Sequence, residues 1–430
     1  MNRIILIGNG FDLAHGLKTS YGDFIDDFGK KEKQKFYAQK TMSYTSSYHY
    51  KDEFIYIEIL HSLMSEFSDN NLFEYFTKSP YGRKITYNNT FLETICTKHM
   101  QNWVDIEEEY YQQIKNIVQQ KLRKYSDDER KIAIKKLNED FEKIKHELEE
   151  YLYEKIEKKD KSAVKNMRDI FFDNFNLKDF PNKKESLLLE YLYNILEKSD
   201  IGYYKDLQYM FNKSYESHYG HPLTTQITKT DVINLFNVQD YLRVKLLEQI
   251  FPDHILVLNF NYTNTESMYF NNYINTKKYI PNFISIHIHG ELNNENNSII
   301  FGYGDELAEE YKEIENLKDN DFLKNVKSIN YLKTDNYKRL LNFADSDYFQ
   351  IYILGHSCGN SDRTLLNTLF EHTNCVSIKP FFYEWEDEKG VKQNDYEEKI
   401  MNISRNFNNK KAFREKVVNE TYCRPLPQIK

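Results

Sequence analysis

The sequence predicts an α/β protein in which a Rossmann-like parallel sheet is split by a large, mainly α-helical insertion. Short apolar runs that end in glycine or in small polar residues occur at residues 2–8 and again beyond about residue 250. Between them lies a long polar stretch with helical periodicity. Strand-like runs that alternate with helices indicate a parallel sheet. Because the first run has no strand-like neighbour nearby, we expect it to join the later ones.

The first predicted elements are a strand and a helix. Residues 2–8, NRIILIG, form a short apolar run that is typical of a buried strand. Residues 11–28 are predicted to form a turn and then a helix, because apolar residues recur there at helical spacing from Leu13 to Phe24. The strand therefore leads through a glycine-containing corner into a helix.

Residues 31–245 are predicted to form the helical insertion, with a loop-like stretch at 68–89. Its clearest signal is a run of apolar residues three or four positions apart with charged residues between them, at Ile134, Leu137, Phe141, Ile144, Leu148 and Tyr151. Such a stripe packs helices together in a bundle or a coiled coil. We therefore expect this apolar stripe to have a structural role. The insertion as a whole is expected to serve sensing or homo-oligomerisation.

The later part of the chain predicts the rest of the sheet. Strand-like runs are HILVLNFN at 254–261, FISIHIHG at 283–290, SIIFGYG at 298–304, YFQIYILG at 348–355 and CVSIKPFFYEW at 375–385. A helix is predicted at about 361–372. The predicted domains are a Rossmann-like nucleotide-binding domain at 1–30 and 246–395, the insertion at 31–245, and a C-terminal helical tail at 396–430. The basic residues of that tail predict a solvated surface.

The composition limits the expected partners and compartment. The chain has 430 residues and a formal net charge of −8, so it lacks the basic footprint of a nucleic-acid-binding protein. Its four cysteines include no C-x-x-C pair, which leaves a zinc ribbon unsupported and predicts no metal. Few cysteines in a long chain suit a reducing cytosol. The apolar N-terminal run is too short for a signal peptide or a membrane span, so we expect a cytoplasmic protein.

Glycines and small polar residues stand at the end of nearly every predicted strand. They are Gly8, Asn9, Gly10, Phe11 and Asp12; Asn259, Asn261, Tyr262 and Thr263; His287, His289, Gly290 and Glu291; Gly302, Tyr303 and Gly304; and Gly355, His356, Ser357 and Asp362. Ligands of open parallel sheets bind beyond the carboxyl ends of the strands. This clustering therefore predicts a binding site at that edge of the sheet.

The first of these corners departs from the dinucleotide-binding fingerprint. The pattern G-x-G-x-x-G needs a third glycine where this chain has Leu13, so a nicotinamide-dependent dehydrogenase is not indicated. A corner between a strand and a helix can still present backbone N–H groups to a phosphate. Alternatively, Gly8 and Gly10 serve only a tight turn. Asp12 is expected either to contact a ligand or to cap the following helix.

Two histidines alternate with isoleucines in ISIHIHGEL. His287 and His289 face the same side of the predicted strand, and His289 stands at its end, before a glycine. A residue at the end of a strand is the better placed for chemistry. We therefore favour His289 as functional and expect His287 to be packed or to support it.

The pentapeptide GHSCG at 355–359 matches the G-x-S-x-G pattern of hydrolases. That pattern requires an acidic residue and then a histidine later in the chain. The only later histidine is His372, on the helix that follows at once. We therefore expect Ser357 to shape a turn and contact a ligand rather than to act as a nucleophile.

Five motifs together resemble the AbiH abortive-infection family of bacterial anti-phage proteins. They are LIGNGFDLAHGLKTSYGDF at 6–24, NWVDIE at 102–107, NFNYTNT at 259–265, HIHGEL at 287–292 and LGHSCGNSD at 354–362. Their order is also similar, more distantly, to the sirtuin-like domains of prokaryotic defence. Those domains have a glycine loop, an Asn-Tyr turn, a His-Gly pair and a late Gly-x-Ser turn followed by an aspartate.

The sirtuin-like resemblance implies a sheet that binds NAD and residues that cleave its nicotinamide–ribose bond. Asn261 and His289 match the catalytic asparagine and histidine. NAD contacts are expected at Gly8, Asn9, Gly10, Phe11, Asp12, Tyr262, Gly355, Ser357 and Asp362. The chain departs from that pattern at Asn9, at Asp12 and at Thr263, and it lacks a zinc ribbon, which disfavours protein deacylation.

Trp103, Asp105 and Glu107 form the family-like motif inside the insertion. Asp105 and Glu107 are two positions apart, so they do not share one face of a helix. One of them is expected to reach the cleft, or else the motif anchors the insertion on the sheet.

Residues and resemblance together favour a cytosolic enzyme that hydrolyses NAD on phage infection. Asn261 is expected to hold a ribose hydroxyl or the attacking water, and His289 to act as general base. Two alternatives are a nucleotide-sensing module without turnover and a nuclease-type toxin that uses acidic residues with a metal. The expected partners are NAD or a related nucleotide, a phage-derived trigger protein, and a second copy of the chain bound through the insertion.

Overall fold

The structure, a computed structural model, describes residues 1–43, 46–69, 71–78, 81–97, 103–119, 125–181, 185–197, 204–223, 226–270, 282–304, 306 and 309–429. Its strands are β1 Asn2–Ile7, β2 Thr41–Met42, β3 Ser47–Lys51, β4 Ile55–Leu60, β5 Arg83–Tyr87, β6 His254–Asn259, β7 Asn282–His287, β8 Phe349–Leu354, β9 Cys375–Phe381, β10 Glu384–Glu386 and β11 Lys392–Asn394. Its helices are α1 Asn9–Ala14, α2 Tyr21–Gln39, α3 Met64–Asp69, α4 Leu72–Lys78, α5 Thr90–Thr97, α6 Trp103–Val118, α7 Asp127–Leu152, α8 Met167–Phe171, α9 Glu185–Glu197, α10 Tyr204–Tyr219, α11 Lys229–Val238, α12 Asp240–Leu247, α13 Glu309–Asn316, α14 Lys327–Asn330, α15 Asn336–Ser346, α16 Arg363–Phe370, α17 Tyr396–Arg405 and α18 Lys410–Lys416.

A parallel sheet of five strands forms the centre of the fold, in the order β7–β6–β1–β8–β9. Strand β1 lies in the middle, where Ile5 pairs with Val257 of β6 on one side and with Tyr352 of β8 on the other. All of β1 is buried, because both faces of the sheet are covered. The predicted pairing of the first apolar run with the later ones is confirmed.

Each face of the sheet has its own core. Ile4 and Leu6 of β1 point to one face, which packs against apolar side chains of α15 and α16. Ile5 and Ile7 point to the other, which packs against residues of α1 and α8. This alternation follows from the two-residue period of a strand. The edge of the sheet lies between these two layers.

The region predicted to be helical also contains an antiparallel sheet, in the order β2–β3–β4–β5. The prediction of helix is wrong at β2, β3 and β4, and β5 lies in residues 68–89, for which the sequence predicts a loop. Ile55, Ile57 and Ile59 are buried and alternate with less buried residues, which is the two-residue period of a half-buried strand. The helical stripe from Ile134 to Tyr151 is confirmed, since it lies on α7 and is buried.

The strand predicted at 298–304 is absent, and the segment there is irregular apart from a single bridge at Tyr303. The N–H of Ile300 donates to the oxygen of His289, and that of Tyr303 to the oxygen of Asn325. The rings of Phe301 and Tyr303 stack on Phe141 and Tyr111 of the insertion, with centroids 4.9 and 4.0 Å apart. The segment is apolar because it packs against α6 and α7, not because it joins the sheet.

The turn predicted at the start of residues 11–28 is the helix α1, and the helix predicted after it is α2. Ser20 caps α2, and its side chain accepts from the N–H of Asp23. The N-cap of α1 is Gly8, without a side-chain bond. Asp12 lies inside α1, so the alternative that Asp12 caps this helix is wrong.

The C-terminal region packs on the sheet, while its basic residues Arg405, Lys410, Lys411 and Arg414 are exposed, as predicted. Beyond α18, the N–H of Val418 donates to Ile378 of β9, and that of Leu426 donates to Phe382. The N–H of Ile429 then donates to the oxygen of Ala14 at the end of α1. Residues 417–429 thus run along the outer edge of β9 and reach the glycine corner of β1.

Candidate functional site

A cleft of about 1070 Å³ lies beyond the carboxyl ends of β1, β6, β7 and β8. The predicted site residues that line it are Gly8, Asn9, Gly10, Asp12, Asn261, Tyr262, His289, Gly355, Ser357 and Asp362. Clefts of about 300–1,000 Å³ suffice for drug-sized ligands. The structure therefore brings together residues from the ends of the other predicted strands named above. From the irregular segment 298–304, only Phe301 lines the cleft.

Phe11 is the predicted contact that does not line the cleft. Its ring is fully buried and packs edge-on against Phe171 and Tyr269, with centroids 6.0 and 6.1 Å away. Phe11 therefore packs α1 against α8 and against the segment that follows β6.

The glycine corner of β1 packs directly on the turn after β8. A Cβ added to Gly10 would lie 2.8 Å from the oxygen of Gly355, and one added to Gly8 would lie 2.6 Å from the Cα of His356. The N–H of Gly10 donates to Gly355, at 2.8 Å, and that of Gly8 to Leu354. These glycines are required for close contact between two loops, and their N–H groups are already used. Phosphate binding at this corner stays a prediction.

His289 and Asp362 form the centre of the buried polar network. The Nε2 atom of His289 lies 3.1 Å from Oδ1 of Asp362 and 3.1 Å from the hydroxyl of Tyr331. A carboxylate only accepts, so Nε2 carries the proton and Nδ1 keeps its lone pair. Burial, and then the charge of Lys327, lower the pKa of His289 to about 4. The imidazole is therefore neutral near pH 7.

Lys327 joins two carboxylates from distant parts of the chain. Its Nζ lies 2.9 Å from Oδ1 of Asp362 and 2.8 Å from Oε2 of Glu107, and the lysine side chain is 1% exposed. Burial would lower the pKa of Lys327, but the two carboxylates outweigh it and raise that pKa. The ammonium is therefore charged and holds the network together.

The two carboxylates respond differently to the one shared cation. Burial would raise the pKa of Asp362, but Lys327 and then His289 hold that pKa well below its usual range. Burial raises the pKa of Glu107 to about 7, against the attraction of Lys327. The pKa values of two acids beside one cation separate in this way, because the cation fully compensates the charge of only one of them.

A second histidine stands beside the same carboxylate. Nδ1 of His356 accepts from the N–H of Cys358, at 3.0 Å, and Nε2 lies 3.6 Å from Oδ2 of Asp362. The ring of Phe260 packs edge-on against both His356 and His289, with centroids 4.1 and 5.1 Å away. Both imidazoles are thus held in fixed orientations.

Asp12 presents a buried carboxylate to the cleft. Its Oδ2 accepts from the hydroxyl of Thr263, at 2.6 Å, whereas its buried Oδ1 has no partner among the described residues. Burial raises the pKa of Asp12 to about 6. An unpaired buried oxygen costs free energy in the folded protein.

Two hydrogen bonds hold Asn261 in place. Its N–H donates to Oδ1 of Asn259, at 2.8 Å, and its Nδ2 donates to the oxygen of Gly8, at 3.0 Å. The side chain of Asn259 donates in turn to Glu266, which also bonds Nε2 of His287, at 2.9 Å. His287 is therefore packed behind the site, as predicted.

Ser357 is exposed at the cleft, on a turn in which Gly355 and Cys358 have φ of 70° and 55°. His372 does not line the cleft; its Nε2 lies 3.2 Å from Asp345, by the start of β9. The geometry therefore offers Ser357 no triad from the later histidine.

Sequence reasoning missed Lys327 and did not distinguish Glu107 from Asp105. No motif surrounds Lys327, and a buried lysine is recognised only by its partners. Glu107 lies on α6 and reaches the cleft, where its Oε1 also accepts from Gly302. The side chains of Trp103 and Asp105 lie outside the described residues.

Fold and site define an α/β protein with an open parallel sheet and a polar cleft at its carboxyl edge. The sequence model described as bacteriophage abortive infection AbiH matches residues 4–187 and 171–384. These matches cover most of the chain, so the protein belongs to the AbiH family. Its place is therefore among the abortive-infection proteins that act against bacteriophages.

The other comparisons add no relative. No curated protein and no solved structure matches the chain. The sirtuin-like resemblance therefore stays a prediction. Among the described residues no helix is both long and apolar enough to cross a membrane, and no three or more His, Cys, Asp or Glu side chains are grouped to hold a metal ion.

Proposed function

We propose that this AbiH protein is a cytoplasmic abortive-infection effector that hydrolyses NAD to ADP-ribose and nicotinamide. One observation carries the proposal. A neutral histidine, fixed by the Asp362 carboxylate, shares a large cleft with Asn261 and the buried carboxylate of Asp12. A general base, an amide and an anion in one cleft suit cleavage of a bond from carbon to a cationic leaving group.

The proposed reaction needs a general base that takes a proton from the attacking water. Water attacks C1′ of the nicotinamide-bearing ribose, the bond from C1′ to the ring nitrogen breaks, and its electron pair leaves with neutral nicotinamide. Nδ1 of His289 takes the proton from the water. Its low pKa keeps it unprotonated at neutral pH, and Asp362 stabilises the imidazolium that forms.

Asp12 and Asn261 act on the ribose in this proposal. The carboxylate of Asp12 accepts from a ribose hydroxyl and stabilises the positive charge that develops at C1′. Asn261 already donates through Nδ2 to Gly8, which leaves its Oδ1 to accept from the water or from a hydroxyl. No step requires a strong acid, because nicotinamide leaves as a neutral amine.

The insertion supplies regulation in this proposal. Glu107 on α6 reaches the same network through Lys327, so a phage-derived trigger that moves α6 changes the environment of Asp362. A second copy bound through the insertion would act by the same route.

The test is an NAD-consumption assay with purified protein, with and without extract from phage-infected cells. We expect the wild type to release nicotinamide and ADP-ribose, and His289→Gln and Asn261→Ala to lose at least about 100-fold in rate. His372→Gln is the matched control, because His372 lies outside the cleft and should retain activity.

Other outcomes identify the alternatives. Tight nucleotide binding without turnover would indicate a nucleotide-sensing module. Loss of intact RNA or DNA with a divalent ion, without NAD turnover, would indicate a nuclease-type toxin.

A further inference from the structure

We infer that the mouth of the cleft carries a subsite for the base and phosphates of a nucleotide, built by Tyr383, Trp385 and one face of α17. The inference rests on the proposed function, because it specifies how the substrate of that same cleft is held. None of these residues belongs to the five family-like motifs of the sequence.

Tyr383 and Trp385 form an exposed aromatic pair at the cleft. Their rings stack, with centroids 5.4 Å apart and planes 19° from parallel. Tyr383 lines the cleft and is 51% exposed, and Trp385 is 39% exposed. Because they are two positions apart on an extended segment, both side chains lie on the same face. A stacked pair with so much free ring surface is suited to stack on a planar ligand.

The aromatic pair stands on a fixed support. Trp385 pairs with Gln393 in the β10–β11 hairpin. The N–H of Tyr383 donates to Oδ1 of Asp395, at 2.6 Å. Gln428 donates to the oxygen of Glu384 from the C-terminal segment, at 2.8 Å. The rings are therefore presented by anchored backbone, which lowers the entropic cost of binding.

Helix α17 brings cations to the same cleft. Lys399, Asn402 and Arg405 all line it, and their spacing of three places them on one face of the helix. Arg405 is exposed and donates to the side chain of Asn402. A guanidinium and an ammonium on one helix face match the phosphates of a nucleotide.

Acidic side chains at the mouth of the cleft reduce the positive charge that Lys399 and Arg405 bring there. Asp395 and Glu398 also line the cleft, and Nζ of Lys399 lies 3.1 Å from Oδ2 of Asp395. Lys399 is therefore partly neutralised, and Arg405 carries most of the expected attraction. The ligand class that fits rings, cations and polar groups together is a nucleotide with an aromatic base.

The order of groups agrees with a dinucleotide substrate. The base stacks at the mouth on Tyr383 and Trp385, the phosphates lie along α17, and the second ribose reaches His289 and Asp12 deeper in the cleft. The wall formed by Gly8, Gly10 and Gly355 then contacts the ligand through its shape and not through hydrogen bonds from Gly8 and Gly10. The N–H groups of those two glycines already donate within the protein.

The test is calorimetric titration with two probes, ADP-ribose and inorganic pyrophosphate. Because a base gains affinity by stacking on an aromatic side chain, Tyr383→Ala and Trp385→Ala should each weaken the binding of ADP-ribose about tenfold or more. Neither change should affect pyrophosphate. Arg405→Ala should weaken both probes. Tyr383→Phe and Trp385→Phe should retain binding, and Tyr209→Ala, an exposed tyrosine on α10, is the control.

The outcomes separate this subsite from the proposed reaction. Unchanged ADP-ribose affinity in both alanine variants, or an equal loss for pyrophosphate, overturns the subsite. If the probes behave as expected but NAD is not hydrolysed, the subsite stands and the proposed reaction fails. If NAD is hydrolysed and Tyr383→Ala leaves KM unchanged, the reaction stands and the subsite fails.

Discussion

His289 and Asp362 follow strands β7 and β8, which are separated in the sheet by β6 and β1, yet Nε2 of the histidine lies 3.1 Å from Oδ1 of the aspartate. Both side chains reach across the carboxyl edge of the sheet and meet above its centre. The contact fixes the tautomer of His289, because the carboxylate can only accept.

Asp362→Asn should therefore act through the tautomer. An amide can donate to Nε2, which would place the proton on Nδ1 and remove the proposed base. We expect kcat for NAD hydrolysis to fall by about 10²–10⁴-fold, as with the corresponding change in a hydrolase triad. Initial rates measure the effect, and circular dichroism controls for folding. Activity within a few-fold of wild type would contradict the assigned tautomer.

Lys327→Met should destabilise the fold. The change leaves two buried carboxylates without their cation, which costs about 3–5 kcal/mol when a buried pair is broken. Adding Glu107→Gln removes one of those acids and should recover part of the loss. Urea unfolding measures both variants. Lys158→Met, which breaks an exposed pair with Glu154, should leave unfolding unchanged. Equal effects of the two lysine changes would refute a compensated buried cation.

Asp12→Asn should increase stability while it lowers activity. The pKa of Asp12 in the fold is about 6, above its ordinary 3.8, so the folded protein binds this proton more tightly than the unfolded chain. That contribution to stability is complete below the ordinary pKa and is lost as pH rises through about 6. The asparagine should therefore gain up to about 3 kcal/mol near pH 7.5 and little near pH 4.

Urea unfolding at the two pH values checks this prediction, together with the rate of NAD hydrolysis. In the wild type the rate should fall as pH drops through about 6, because the ionised Asp12 is the proposed active form. A variant that is less stable than wild type at both pH values would show that the carboxylate is satisfied within the fold.

Gly355→Ala tests the contact between the two loops. Gly355 has φ of 70°, and a Cβ there would overlap the backbone nitrogen of Phe11. Gly390 has φ of 73° with nothing within 4 Å, so Gly390→Ala reports the backbone strain alone, about 1–2 kcal/mol. We expect Gly355→Ala to cost at least about 1–3 kcal/mol more. Thermal unfolding compares them, and equal losses would contradict close packing of the loops.

Much of the central sheet could be predicted because its strands are short apolar runs that end at glycine or polar residues. The strands β2–β5 were missed inside a polar, mostly helical region, although Ile55, Ile57 and Ile59 alternate as a strand does. At Phe301 and Tyr303 the error is the opposite, because a strand is predicted where the chain is irregular. Apolar residues indicate burial, but burial against helices and burial in a sheet have the same composition.

The site divides in the same way. Asn261, His289 and Asp362 were predictable because they follow strands, and strand ends of a parallel sheet meet at one edge. Lys327 begins a short helix, so no strand end marks it. Its role depends on Glu107 and Asp362, and sequence patterns do not report charge pairs between distant segments. The aromatic pair at Tyr383 was likewise part of a predicted strand and became visible only beside the cleft.

The central position of β1 has a consequence for synthesis of the protein. One edge of β1 can pair only after β6 has been synthesised, and the other only after the strand that begins at Phe349. At about 5–20 residues per second, the second edge stays unpaired for on the order of tens of seconds. The cleft cannot assemble before Asp362 has been made, so a ribosome-bound chain is expected to be inactive. Stalled chains that end before Phe349 should remain protease-sensitive at β1.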